Sequence, residues 1–150
     1  MASSGLLVTQ FDYSKLFIWN PRFRTATYTN TTGSTVSLLK GTVMGRIMTS
    51  NKVTPALSTA TDGSQIPMGV LQQEYDNIAN NASVIVSYCV AGDVAREGLI
   101  FYNGTDTLAT VITLTDSATN TVKIGTIEDI LIRSGIITVA TTDNTLADNA

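Results

Sequence analysis

The sequence predicts a mainly β protein, a compact single domain of small-barrel or β-clip type with one short helix and an extended N-terminal arm. Two observations support this fold class. Short runs rich in Val, Ile and Thr recur between Gly, Pro and Asp-Gly turns, as in proteins built from many short strands. Apolar residues at helical spacing are confined to one short segment near the C-terminus. With 150 residues, of which 43% are hydrophobic, the chain can form one domain with a core.

The strand pattern is clearest in the first two thirds of the chain. Val43, Gly45 and Ile47 alternate with Met44 and Arg46, which gives a strand with two chemically different faces. The predicted strands of this part are residues 36–39, 42–48, 52–54, 66–71 and 83–91. The third returns on the second as a hairpin, and the last has the longest apolar run, so we expect it in the centre of the sheet.

A further hairpin is predicted from residues 98–102 and 107–115, with Asn103-Gly104 as its turn. Both turn residues tolerate the positive φ angles of a type I′ turn. With the residues after the second strand included, residues 103–123 are predicted as a hairpin additional to the strands of residues 36–91.

One helix is predicted near the C-terminus. Thr126 and Asp129 have the spacing of a capping box, and Gly135 can adopt the left-handed conformation that ends a helix. Residues 136–140 then form the last predicted strand.

The chain divides into three predicted regions. Residues 1–32 form an extended N-terminal arm, residues 33–141 a β-rich domain and residues 142–150 a polar tail. The arm is predicted because aromatic side chains concentrate before the break at Asn20-Pro21. An equally acceptable interpretation makes the same segment the first strand of the core, with its aromatics packed inside.

The composition disfavours several functional classes. Charged residues make up 14% of the chain, the net charge is −3, and the 9 basic residues are scattered, so no nucleic-acid partner is expected. The close pair Arg22 and Arg24 is interpreted as two solvated charges. No secretory signal and no membrane-spanning run is expected.

Catalytic and metal-binding patterns are also missing from the sequence. The chain has no His, which excludes Ser-His-Asp and Cys-His arrangements, and its single Cys, Cys89, is predicted to be a small buried hydrophobe. The nearby carboxylates Asp93 and Glu97 are interpreted as surface charges at a turn. We therefore predict no enzyme activity, no cofactor and no metal site.

The order of small residues and strands from Gly41 to Phe101 resembles the head decoration (capsid cement) proteins of tailed phages, the family of the phage lambda decoration protein D. The resemblance consists of a glycine-containing strand, a short return strand ending in Lys52-Val53-Thr54-Pro55, an Asp-Gly turn and a Pro-Met-Gly strand. The residues that carry it are Gly41, Gly45, Asp62, Gly63, Pro67 and Gly69.

The resemblance implies a structural protein, made in the host cytoplasm, that binds the major capsid protein on the outside of an expanded icosahedral head. It implies homotrimers at three-fold and quasi-three-fold sites, which stabilise the head against the pressure of packaged DNA. It also implies that the N-terminal arm adds a strand to the shell protein. The expected shell-binding residues of the arm are Leu6, Leu7, Phe11, Tyr13, Phe17, Trp19 and Tyr28.

Other functional classes remain open at this point. A β-sandwich-type module could bind carbohydrate on an aromatic platform of Trp19, Tyr88, Phe101 and Tyr102. A tail-associated structural protein, which would polymerise by itself, is a further alternative. The position of Trp19 discriminates between them, because a platform requires this side chain to be exposed on a folded face.

Overall fold

The computed structural model describes residues 15–140. They form ten strands and one α-helix, joined by turns that include a 3-10 turn at Arg96–Gly98. The prediction of a mainly β protein with one short helix is confirmed. The elements are β1 (Phe17–Thr29), β2 (Val36–Leu38), β3 (Val43–Arg46), β4 (Val53–Pro55), β5 (Pro67–Leu71), β6 (Tyr75–Ile78), β7 (Ser83–Ala95), β8 (Val111–Thr115), β9 (Thr121–Thr126), α1 (Ile127–Ser134) and β10 (Ile136–Val139).

The largest sheet has the order β1-β7-β5-β3-β4, and β10 also pairs with β7. β7 is central, as the sequence predicts: β1 lies antiparallel along one edge, while β5 and β10 share the other. The hairpin of β3 and β4 is likewise present, with Gly45 opposite Thr54. Two smaller sheets, β2–β6 and β8–β9, complete the strands.

Within residues 15–140 this sheet does not close into a barrel, so the barrel form of the predicted fold is not observed. β1 and β4 stand at opposite ends of the strand order and share no backbone ladder. They approach each other near Lys52, whose Nζ donates a hydrogen bond to Oγ1 of Thr29 at 2.9 Å. The result is an open seam between two edge strands.

The hydrophobic core lies on both faces of the large sheet. Neighbouring strand residues point to opposite faces, and Val70 and Cys89 belong to one core cluster whereas Leu71 and Tyr88 belong to the other. The first cluster is completed by α1, β8 and β10, and the second by β2 and β6. A sheet covered on both sides explains why β5 and β7 are so apolar.

Helix α1 forms where its local signals predict it. The Thr126 hydroxyl accepts the backbone N–H of Asp129, whose carboxylate accepts the Thr126 N–H, which completes the predicted capping box. Gly135 ends the helix with a φ of 109°. Ile127, Ile130 and Leu131 provide the face that is buried against the sheet.

The hairpin predicted around Asn103-Gly104 is wrong in position. Asn103 does not adopt the positive φ of a type I′ turn; its side-chain oxygen instead accepts the N–H groups of Thr105 and Asp106, each at 3.0 Å. The observed hairpin is β8–β9, whose turn spans residues 116–120. Residues 98–102 contribute only an isolated bridge, between Thr42 and Ile100.

Much of the predicted N-terminal arm belongs to the sheet. β1 pairs with β7 from Phe17↔Val94 to Thr29↔Ser83. Residues 17–29 therefore form a strand of the large sheet, as in the alternative interpretation, although Trp19 is exposed rather than packed inside. Residues 1–14 of the arm and the predicted tail at 142–150 lie outside the described residues.

Candidate protein-binding surface along β1 and β4

The long strand β1 presents a backbone edge that no other strand of residues 15–140 pairs with. Such an edge is a ready template for pairing with another chain. The edge is interrupted near Asn20, which has a φ of 47°, and the register with β7 shifts there. Beyond this irregularity, the pairing of residues 23–29 with β7 is continuous.

The structure places the expected shell-binding aromatics in different environments. Trp19 is 70% exposed, whereas Tyr28 is only 3% exposed and belongs to the core cluster with Val86 and Tyr88. Phe17 is half-buried and meets Phe23 edge-to-face, with ring centroids 5.1 Å apart. The other expected residues, Leu6, Leu7, Phe11 and Tyr13, lie outside the described part of the chain.

A groove of about 750 Å³ fills the open seam between β1 and the β3–β4 hairpin. We call it the β1–β4 groove; its lining is polar apart from Phe23, Ala26 and Tyr88. The residues that line it are Phe23, Arg24, Thr25, Ala26, Thr27, Arg46, Ser50, Asn51, Lys52, Ser87 and Tyr88.

Positive charge is concentrated in this groove. Arg24, Arg46 and Lys52 line it, and no Asp or Glu does. The register sets Arg24 opposite Tyr88, and the Arg46 guanidinium donates to the Tyr88 hydroxyl at 3.3 Å. No ion pair within 4.0 Å joins these three cations to a carboxylate of residues 15–140. The ion pair observed among those residues joins Arg96 to Glu128, outside the groove.

The sequence gives no direct signal for this cluster. The local pattern predicts only a solvated charge for Arg24, beside Arg22, and does not relate it to Arg46 or Lys52. Their proximity depends on the β1–β7 register and on the path of the sheet to β4. Only a correct assignment of these long-range pairings could have predicted the groove.

The glycines of the family-like motif occupy places with no room for a side chain. A Cβ on Gly41 would collide with the Gly98 carbonyl oxygen, and one on Gly45 with the Ser64 carbonyl oxygen. At Gly69 a Cβ would lie 2.8 Å from the Cys89 carbonyl oxygen. At these three positions the absence of a side chain allows close backbone packing.

The remaining motif residues shape the turn before β5. Asp62 Oδ1 accepts hydrogen bonds from both the N–H and the hydroxyl of Ser64, and these bonds lower the pKa of Asp62. Gly63 has a φ of 100°, which favours glycine. Pro67 is the first residue of β5, where the loss of one N–H is tolerated.

The four aromatics proposed as a carbohydrate platform do not share one exposed surface. Trp19 and Tyr102 are exposed, but Tyr88 is 1% exposed and Phe101 packs against the core. Trp19 does lie on a paired strand, opposite Asp93, so it meets the condition of exposure on a folded face. A large exposed aromatic at this position is equally typical of a protein interface.

The metal-ligating and thiol side chains of residues 15–140 are further candidates for a site. Within residues 15–140 there is no group of three or more metal-ligating side chains. Cys89 is fully buried, and desolvation raises the pKa of its thiol, which disfavours the reactive thiolate. Over the same residues, no helix has the length and apolar character that crossing a membrane requires.

Comparison with known families agrees with the motif. The family described as "Bacteriophage lambda head decoration protein D" matches residues 7–121, which is more than half of the chain. The chain belongs to this family. No curated protein sequence matches it significantly. As a head decoration protein it belongs to the structural components of the phage capsid.

The family match ends at residue 121, the first residue of β9. Helix α1 and strand β10 therefore lie beyond the part by which this decoration protein matches its family. They nevertheless complete one core cluster, since Leu131 and Ile136 are fully buried against β5 and β7.

Proposed function

We propose that this protein binds the outside of an expanded icosahedral phage head as homotrimers at three-fold and quasi-three-fold sites. There it stabilises the major capsid shell against the pressure of packaged DNA. The observation that carries the proposal is the family match over residues 7–121. The alternatives of a carbohydrate-binding or tail-associated module have no comparable support.

The physical basis of such stabilisation is multivalent bridging. One protomer need bind its shell subunit only weakly, because a trimer that contacts neighbouring subunits makes each further contact intramolecular. A surface with few charges suits this role, since charged residues are depleted at the centres of protein interfaces.

We propose that the N-terminal segment before β1 provides the main attachment to the shell. Its apolar residues include Leu6, Leu7, Phe11 and Tyr13, and Trp19 adds an exposed apolar side chain on β1. Strand addition would give affinity through backbone hydrogen bonds and selectivity through alternate side chains. Tyr28, being in the core, is assigned a structural role instead.

Co-sedimentation with expanded, undecorated heads of the cognate phage tests the proposal. The full chain is compared with a variant that lacks residues 1–14. This truncation leaves β1 intact, whereas removal of residues 1–32 would also delete a strand paired with β7. Saturable binding of the full chain in multiples of three copies per facet, weakened at least tenfold by the truncation, is the expected result.

The thermal unfolding of the truncated variant is the control. If its melting temperature equals that of the full chain, the variant is folded, and any loss of binding is due to the missing contacts of residues 1–14. If the full chain fails to sediment with heads, the proposed function is wrong. If the truncated variant binds as tightly as the full chain, the attachment lies elsewhere on the domain.

A further inference from the structure

The β1–β4 groove has the properties of a binding site for an extended acidic peptide. We propose that it receives an acidic strand of a protein partner, which hydrogen-bonds to the free edge of β1 and places carboxylates beside Arg24, Arg46 and Lys52. This inference deepens the proposed function, on which the identity of the partner as a shell segment rests. The charge and polarity of the groove do not depend on the proposed role at the capsid.

Charge complementarity is the first argument. Three of the 9 basic residues of an acidic chain line one groove, and no carboxylate of residues 15–140 neutralises them. Arg46 and Lys52 are half-buried residues of the groove wall. A carboxylate brought between them would form charge-assisted hydrogen bonds, which are stronger than those between neutral groups.

The polarity of the groove gives the second argument. Thr25, Thr27, Ser50, Asn51 and Ser87 supply hydroxyl and amide groups along its length. The Ser87 hydroxyl already bonds the side chain of Gln72, so part of this network is fixed before any ligand arrives. Such a lining suits a polar main chain and short polar side chains better than an apolar helix.

The backbone supplies the third argument. β1 and β4 end the large sheet on either side of the seam, and their outer edges have no strand partner among residues 15–140. Backbone groups at a free edge favour an occupant that is itself extended. The hydrogen bond from Lys52 to Thr29 marks one end of the groove and limits how far a strand can extend there.

A nucleic acid fits the same site less well. Single-stranded nucleic acids bind through stacking of bases on exposed aromatics along a positively charged groove. Here Tyr88 is 1% exposed and only Phe23, at 37%, offers part of a ring. The net charge of −3 would also repel a polyanion outside the groove.

The test uses a fluorescently tagged peptide of about six residues, the usual length of a strand, in which Thr and Glu alternate. Anisotropy with the full-length protein should show saturable binding that added sodium chloride weakens. Substitution of both Arg24→Gln and Lys52→Gln should raise the dissociation constant about fivefold or more, as expected for lost ion pairs. Lys123→Gln, which removes an exposed cation of β9 outside the groove, should leave it unchanged.

Hydrogen exchange provides a second readout that does not depend on the substitutions. Backbone amides of β1 that face away from β7 should gain protection when the peptide is bound. Equal binding of a peptide with Gln in place of Glu, or an equal effect of Lys123→Gln, would overturn the inference. So would tighter binding of an oligothymidylate than of the acidic peptide at the same salt concentration.

Head binding separates this inference from the proposed function. If the peptide binds in the groove but the protein does not sediment with heads, the groove site stands and the decoration role falls. If heads are bound equally by the wild-type protein and by the Arg24→Gln, Lys52→Gln variant, and the peptide is not bound, the groove inference is wrong while the decoration role stands.

Discussion

Asn30 connects the end of β1 to the end of β6: its Nδ2 donates a hydrogen bond to the Ile78 carbonyl oxygen at 2.8 Å. The same nitrogen donates to the Ser34 carbonyl oxygen, and Oδ1 accepts the N–H of Thr32 at 3.0 Å. Asn30 has no exposed surface and its bond to Ile78 is buried, so water does not readily replace that bond. A single buried amide thus holds together the turn that leads from the edge strand into the domain.

Replacement of Asn30 by Ala should lower the free energy of unfolding by about 1–3 kcal/mol, because it removes the buried hydrogen bond to the Ile78 carbonyl oxygen. Urea or thermal denaturation measures the difference. Asn80→Ala is the matched control: Asn80 also accepts a backbone N–H, that of Gly33, but in an exposed position. An equal loss in both variants would show that the burial of Asn30 does not matter.

Asp106 is predicted to stabilise the contact between two loops. It is 8% exposed, and its carboxylate accepts the N–H and the hydroxyl of Ser58 at 3.0 and 2.6 Å and the Asn103 Nδ2 at 3.0 Å. Asp106→Ala should lower the free energy of unfolding by about 1.5–3 kcal/mol, the range for hydrogen bonds to a charged group. Ser58→Ala, which removes one of the three bonds, should cost less; the reverse order would contradict this role.

Gly45→Ala should be among the most damaging small substitutions in the chain. The new methyl group would collide with the Ser64 carbonyl oxygen, which is backbone and cannot rotate away. Gly104→Ala is the comparison, because Gly104 has a φ of 72° and nothing within 4 Å of the added Cβ. We expect about 1–2 kcal/mol at Gly104 from backbone strain and a larger loss at Gly45, measured as melting temperatures.

The helix could be predicted because its signals are local. Thr126, Asp129 and Gly135 lie within ten residues of each other, and their hydrogen bonds need no contribution from the rest of the fold. The central position of β7 was predictable for a similar reason, since a strand covered on both faces requires a continuous apolar run.

Elements that depend on distant partners were not predictable in the same way. β6 contains Asp and Asn, which are depleted in strands, and it lies outside the predicted strands. It is a strand because it pairs with β2 and because Ile78 is buried in the core. At Asn103 hydrogen bonds to the side-chain oxygen form in place of the expected type I′ hairpin turn. The candidate groove likewise depends on register, because Arg24 faces Tyr88 only through the pairing of β1 with β7.

The capping box of α1 should make stability sensitive to acid. Hydrogen bonds from the Thr126 backbone and side chain lower the pKa of Asp129. Because the folded-state pKa lies below the unfolded value, this contribution is complete above about pH 4 and is lost as the pH falls through the lowered pKa. Melting temperatures of the wild type and Asp129→Asn should differ at neutral pH and converge once the pH has fallen below the lowered pKa of Asp129. A difference that persists unchanged in acid would exclude the ionised carboxylate as its source.

Trp19 offers a direct report on where the partner binds. It is the only Trp of the chain and is 70% exposed on β1. If a capsid surface covers β1, its fluorescence emission should shift to the blue on titration with undecorated heads. Trp19→Ala should weaken head binding about tenfold or more, as for an interfacial aromatic that contributes strongly, yet leave the melting temperature unchanged. A shift with oligosaccharides but none with heads would instead favour a carbohydrate-binding surface, because it would place a sugar, rather than the shell, against the indole ring.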